Sequence, residues 1–212
     1  MSRFVVLLGG ALVLTPRLEK QVIGARAIAA DSGMAHAELL GLDVELWVGD
    51  FDSTSEELAR RYIAIERQEH PAAKDATDGE LAVAEALKRG AKEIILVGAF
   101  GGQTDHMLGH AGLALRLALA GHRTFLTSGR EEAYPVLPGT RTVSLPDATR
   151  FSIIPFSDLN GLDLENVRWP LIARNVPLGS TLTLSNIALG PVTIGLKSGY
   201  GLAVAYPAEI GS

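Results

Sequence analysis

The sequence predicts an α/β protein: an N-terminal three-layer α/β/α domain with a mainly parallel sheet, followed by a C-terminal all-β sandwich or barrel-like domain. Two observations carry this. Up to residue 128, short apolar runs alternate with helix signals, as in buried parallel strands joined by helices. From about residue 133, Pro135, Pro138, Pro146, Pro155, Pro170, Pro177 and Pro191 punctuate short alternating segments, and none sustains a helical period. The chain has 212 residues, enough for one large domain or two small ones. The boundary is expected within Gly129–Gly139, giving domains over residues 1–132 and 133–212.

The elements follow in order. Phe4 to Leu8 is a continuous apolar run and reads as a buried strand. The longer stretch to Leu14 could mimic the apolar part of a signal peptide, but it contains Gly9-Gly10 and runs into Thr15-Pro16-Arg17 without a small-residue cleavage site. Pro16 can open a helix, because a first-turn proline loses no hydrogen bond. Ala27 to Ala30 is a second strand, and Met34 to Leu40 a helix stopped by Gly41. Leu46 to Val48 is a third strand. Ser55 caps the helix that follows. Thr77 and Glu80 have the spacing of a capping box, with Leu81, Ala84 and Leu87 expected on one helix face. Ile94 to Val97 is a strand. Met107 to Ala120 is expected as a buried helix, and Thr124 to Thr127 as the last strand of the alternating half. In the second half Thr140 to Leu145, Phe151 to Pro155, Thr181 to Leu184 and Val192 to Ile194 read as strands.

Composition narrows the function. Hydrophobic residues make up 47% and charged residues 20%, as in a globular protein. No apolar run approaches the ~18 residues of a membrane span. The net charge is −5, and residues 1–139 hold 14 basic against 19 acidic side chains. That balance argues against a nucleic-acid surface, which needs clustered Lys and Arg. There is no cysteine, which excludes disulfides and thiolate sites and fits a cytoplasmic protein.

In open parallel sheets ligands sit beyond the carboxyl ends of the strands. Asp31, Asp50 and Asp52 each follow a predicted strand directly, and the loop holding Asp105 follows another. In Gly49-Asp-Phe-Asp-Ser53 two carboxylates flank an aromatic. If that segment is extended, both point to one side while Phe51 anchors the other. Paired hard oxygens suit Mg²⁺, although Asp and Ser also favour plain turns. Lys74-Asp-Ala-Thr-Asp78 caps a helix through Thr77, and Lys74 adds a cation able to meet a phosphate. Gly101-Gly-Gln-Thr-Asp-His106 has paired glycines that let backbone approach a ligand, but it is neither a dinucleotide fingerprint nor a Walker loop. The five histidines show no zinc spacing, although His106 and His110 lie one helical turn apart.

Together and in order, these pieces resemble the thiamine pyrophosphokinase family. The carrying residues are Ala30-Asp-Ser-Gly33, Gly49-Asp-Phe-Asp-Ser53, Lys74-Asp-Ala-Thr-Asp78, Gly101-Gly-Gln-Thr-Asp-His106 and Ser185-Asn186. The resemblance implies diphosphate transfer from ATP to the thiamine hydroxyl with release of AMP, dependence on Mg²⁺, and a homodimer. It implies Asp50, Asp52 and Asp78 as the Mg²⁺–phosphate group, with Asp31 and Asp105 completing the acidic site and Asp78 or Asp105 taking the hydroxyl proton. Lys74, Asp75, Thr77 and Gln103 fall on the substrate side of the same motifs. Thr183, Ser185 and Asn186 match the segment that resembles the family's thiamine contact, and Trp169 sits where the family often has an aromatic, whose face suits a thiazolium cation. Two departures stand out. Ser32 replaces a glycine, and Gln103 lies where relatives often carry a basic residue, keeping a donor but losing charge. Two other functions fit the same motifs: diphosphate transfer to another alcohol such as a hydroxymethylpterin, and non-catalytic sensing of thiamine or nucleotide.

Overall fold

A computed structural model of the chain describes residues 2–51, 54–71 and 76–207. They form two compact units: one of residues up to Leu113 with His122–Gly129, the other of Ala114–Gly121 with the residues from Arg130 onward.

Up to Gly129 the elements follow the expected alternation, with one short strand added and with a last helix whose end, from Ala114, counts with the second unit. β1 (Arg3–Leu7), α1 (Pro16–Val22) and β2 (Arg26–Ala30) are followed by a 3₁₀ turn over Asp31–Ala35 that leads into α2 (His36–Leu40). Then come β3 (Val44–Gly49), α3 (Glu56–Arg61), the short β4 (Arg67–Glu69), α4 (Asp78–Lys88), β5 (Glu93–Val97), α5 (Thr104–Leu119) and β6 (Arg123–Thr127). The strands pair in parallel in the order β6-β5-β1-β2-β3-β4. The chain builds outward from β1 to β4, then returns to place β5 on the other side of β1. The order therefore reverses between β1 and β5, and neighbouring connections diverge there to leave a crevice.

Side chains alternate across the strands. Val5, Leu7, Ala27, Ala29, Trp47, Ile95 and Val97 pack with Leu18 and Val22 of α1, and with Ala37, on one face. α4 packs on β1, β2 and β3. Its buried residues are Gly79, Ala82, Val83 and Ala86 rather than the expected Leu81, Ala84 and Leu87, which are half-buried. The small residues win the sheet-facing stripe because they let the helix approach the strands closely. α5 is likewise one-sided: Ala111, Ala114, Leu115 and Leu117 are buried, but Leu108 and Leu119 are exposed.

The two ends of this sheet differ. At the amino ends, Arg26 makes a two-pronged bond to Glu45 at 2.5 and 2.6 Å, and Arg3 meets Glu93 at 2.9 Å. Hydrogen bonding from Arg26 holds the Glu45 carboxyl below its ordinary pKa. The carboxyl ends carry loops, glycines and aspartates instead.

The second unit is antiparallel. β7 (Glu132–Val136), β8 (Gly139–Val143), β9 (Asp147–Pro155), β10 (Leu159–Val167), β11 (Leu171–Val176), β12 (Asn186–Leu196) and β13 (Gly201–Tyr206) enclose Phe151, Ile153, Leu159, Leu162, Leu164, Val192 and Ile194. β12 pairs with β9 through Asn186–Leu189 and with β8 through Val192–Leu196. Gly190, at φ 103°, and Pro191 lie between the two pairings. One expectation fails here: Thr181–Leu184 is a turn, not a strand. It lies between left-handed backbone at Gly179 and Ser185, and the Thr183 hydroxyl donates to the Ile153 carbonyl at 2.6 Å. Alternation of Thr and Leu imitates a strand, but these flanking conformations close the segment on itself.

A Cβ at Gly33 would collide with the Leu7 carbonyl, which is backbone and cannot yield. Gly33→Ala is therefore expected to cost about 2–3 kcal/mol in urea unfolding, as overpacking of a rigid site does. Gly109 faces open space on α5, and Gly109→Ala is expected to stabilise by about 0.5–1 kcal/mol in the same assay.

Candidate active site

The crevice at the reversal point is a cleft of about 690 Å³. The end of β1 supplies Leu8, Gly9 and Gly10, and the end of β5 supplies Gly98 and Ala99. Gly10 donates to the Gly98 carbonyl at 2.9 Å, and Ala11 to that of Phe100 at 2.7 Å. Crossing strand ends can pass this closely only without side chains: a Cβ at Gly10 would meet two carbonyl oxygens. His36 Nε2 lies 2.9 Å from the Gly10 carbonyl and pins this loop from α2.

Around this backbone floor stand four carboxylates. Asp31 follows β2, Asp50 follows β3, and Asp78 and Glu80 lie in the first turn of α4; all four line the cleft. No Lys or Arg lines it among the described residues. Thr77 caps α4, accepting from the Glu80 N–H at 3.2 Å as expected of the N-cap residue. The first turn of this helix directs backbone N–H groups and the positive end of its dipole toward the cleft.

The sequence-assigned residues divide clearly. Asp31, Asp50, Thr77, Asp78 and Gln103 are brought together. Asp105 opens α5 and spends one oxygen on the His106 N–H at 2.9 Å; it is exposed and does not line the cleft. Asp52, Lys74 and Asp75 lie outside the described residues. Phe51 is not extended: its φ is 61°, so the alternation argument for Asp50 does not apply. Its anchoring role is present, for its ring meets Trp47 edge-on at 5.0 Å. Among the described residues, no three His, Asp or Glu side chains converge closely enough to hold a metal ion.

Trp169, Thr183, Ser185 and Asn186 belong to the second unit. Trp169 is 55% exposed. Asn186 accepts from the Trp169 N–H at 3.2 Å and donates to the Trp169 carbonyl at 2.8 Å, so its side chain acts as a strand partner for that residue. Thr183 is buried with its hydroxyl committed to Ile153. Ser185, at φ 60°, makes the turn that delivers Asn186.

Sequence reasoning missed the roles of Gly9-Gly10, His36, Glu80, His106 and His110. The paired glycines directly after β1 were the available signal. Ser32 also lines the cleft, and its Oγ fills the space that a Cβ at Gly9 would need. His106 and His110 meet edge-on at 6.3 Å along one face of α5.

Burial holds the His110 imidazole below its ordinary pKa; a backbone hydrogen bond at Ala99 opposes this, and the charge of a protonated His106 adds to it. The folded protein thus resists a proton that the unfolded chain takes up below about pH 6.5. His110 destabilises the fold as pH falls through that value, with Asp50, Asp78 and Glu80 in the same cleft. The urea midpoint is expected to drop between about pH 7.5 and pH 5.5, and His110→Gln to flatten that drop.

A family model described as the catalytic domain of thiamin pyrophosphokinase matches residues 24–126. A thiamine pyrophosphokinase of Bacillus subtilis is 34% identical over 142 residues, which span 65% of this chain and 66% of that protein. A crystal structure of thiamine pyrophosphokinase from Bacillus subtilis superposes with a TM-score of 0.86 at 26% identity, covering 97% of this chain and 99% of that one. One from Geobacillus thermodenitrificans superposes with a TM-score of 0.81 at 27% identity, covering 99% of each. By sequence and by fold, the chain belongs to the thiamin pyrophosphokinase family of enzymes.

Proposed function

We propose that this chain transfers the terminal diphosphate of ATP to the hydroxyl of thiamine, giving thiamine diphosphate and AMP with Mg²⁺ as cofactor. The carrying observation is the cleft between β1 and β5, with four carboxylates and no Lys or Arg among its described residues. Such a lining repels a polyphosphate unless a cation lies between them. Asp50 and Asp78 come from different elements and line the same cleft, offering the hard oxygens that Mg²⁺ takes together with phosphate oxygens and water. Asp52 is assigned with them by the sequence motif. When bound, Mg²⁺ neutralises polyphosphate charge and acts as a Lewis acid on phosphoryl oxygens.

The chain's own residues do the remaining work. The first turn of α4 offers N–H groups to phosphate oxygens, and Gly9, Gly10, Gly98 and Gly102 let the nucleotide lie against backbone. Gln103 adds a neutral donor; Asp31 and Thr77 line the same cleft, and the sequence motif assigns Lys74 and Asp75 to the nucleotide with them. The thiamine oxygen bonds to the β-phosphorus, the bond from that phosphorus to the oxygen bridging the α-phosphate breaks, and AMP leaves with that oxygen. The hydroxyl proton passes to a carboxylate, and Asp78 is assigned over Asp105 because it lines the cleft.

In this reading residues 1–132 form the ATP-binding domain, and 133–212 form a sandwich that holds thiamine. Trp169, 55% exposed with the Arg168 guanidinium 5.6 Å from its ring centroid, is assigned to the thiazolium cation. Thr183, Ser185 and Asn186 shape the segment that carries it. The enzyme works in the cytoplasm as a homodimer. Supporting the dimer, Ile172, Leu178, Leu182 and Leu189 are all at least half exposed on the second unit. No helix among the described residues is long and apolar enough to cross a membrane.

The deciding experiment incubates the protein with ATP, Mg²⁺ and a panel of alcohols, and measures AMP. AMP release that requires thiamine is expected; release with a hydroxymethylpterin instead, or thiamine binding without turnover, defeats the reading. Chelation with EDTA should abolish ATP binding in calorimetry. Asp50→Asn should lower kcat about a hundredfold or more, the equivalent of a few kcal/mol of charge stabilisation. Light scattering at micromolar concentration should give the mass of two chains.

A further inference from the structure

We propose that Trp47 is a positioning residue that locks together the two backbone corners carrying Asp31 and Asp50. The inference rests on the proposed function for what those carboxylates do, but not for how they are held.

Both corners use unfavourable backbone. Asp31 has φ 43° and Phe51, directly after Asp50, has φ 61°; left-handed geometry at side-chain-bearing residues persists only where the surroundings enforce it. Trp47 reaches both. It lies on β3, fully buried, and its indole Nε1–H donates to the Asp31 carbonyl at 2.8 Å. The same ring receives Phe51 edge-to-face at 5.0 Å, interplanar angle 86°. Arg67, on β4, stands against both rings, its guanidinium 4.9 Å from the Trp47 ring centroid and 5.4 Å from that of Phe51. Arg67 is itself tethered, donating to the Ala59 carbonyl at 2.8 Å. Gly49 completes the contact: a Cβ there would lie 3.4 Å from the Asp31 Cα, so the end of β3 passes directly beside Asp31.

One side chain therefore carries a polar tether to the first corner and an aromatic anchor to the second. An apolar residue of similar bulk would fill the core equally well but leave the Asp31 carbonyl without this donor. The indole N–H sets the spacing between the two carboxylates across the mouth of the sheet.

The test separates donor from bulk. Trp47 is replaced by benzothienylalanine, which has sulfur in place of the N–H and keeps the ring shape, and in parallel by Phe. Tyr62→Leu serves as control, since Tyr62 packs on the Trp47 ring at 6.4 Å and its loss leaves the indole N–H in place. The benzothienylalanine protein should melt within a few degrees of wild type. Its Asp31 and Phe51 amide resonances should shift, and kcat should fall roughly tenfold with KM for thiamine within about twofold, the signature of misplaced groups. Trp47→Phe should show the same shifts and the same loss of kcat. Tyr62→Leu should lower the melting temperature and leave kcat unchanged. Unshifted resonances with wild-type kcat in the benzothienylalanine protein would overturn the inference and make Trp47 a core filler. If the wild type releases no AMP with thiamine, the proposed function fails, and the resonance shifts alone decide the role of Trp47.

Discussion

Four carboxylates share one cleft, and the first unit is organised around keeping them there. Asp31, Asp50, Asp78 and Glu80 come from three different elements, so their separation is set by the sheet rather than by local sequence. Like charges in one crevice repel one another, so the frame behind them has to hold them in place. The frame is stiff where glycine backbones cross at Gly10 and Gly98, where His36 contacts the Gly10 carbonyl, and where Trp47 reaches Asp31 and Phe51.

The opposite end of the same sheet shows the contrast. There Arg26 pairs with Glu45 and Arg3 with Glu93, so acid is matched by base. At the carboxyl ends four carboxylates line the cleft and, among the described residues, no Lys or Arg does. The excess acid of residues 1–139 is therefore not spread evenly over the unit. Part of it is concentrated beyond the strand ends and at a helix N-terminus, where open parallel sheets place their ligands.

The second unit treats polar side chains differently. Thr183 and Asn186 look like ligand contacts in a motif, yet both spend their hydrogen-bonding groups on backbone. Asn186 holds Trp169, which stays half-exposed, and Thr183 ties the preceding turn to Ile153. A motif residue can thus serve recognition by shaping its neighbour, and only hydrogen-bond partners distinguish that from direct contact.

By itself the sequence determined the alternation of strands and helices up to β6 apart from the short β4, the caps at Thr77 and Ser55, and the placement of Asp31 and Asp50 directly after strands. These are local matters, fixed by periodicity and by which residues satisfy a helix end. The face that α4 buries, the left-handed turn at Phe51, the turn at Thr181–Leu184 and the absence of Asp105 from the cleft lining were decided only by tertiary structure. Each depends on what lies across the sheet or the turn: small residues admitted against strands, an aromatic partner at Trp47, a carbonyl at Ile153, an amide at His106. The Ile153 carbonyl is distant in sequence and the His106 amide competes with the motif for the same oxygen, so spacing along the chain does not announce them.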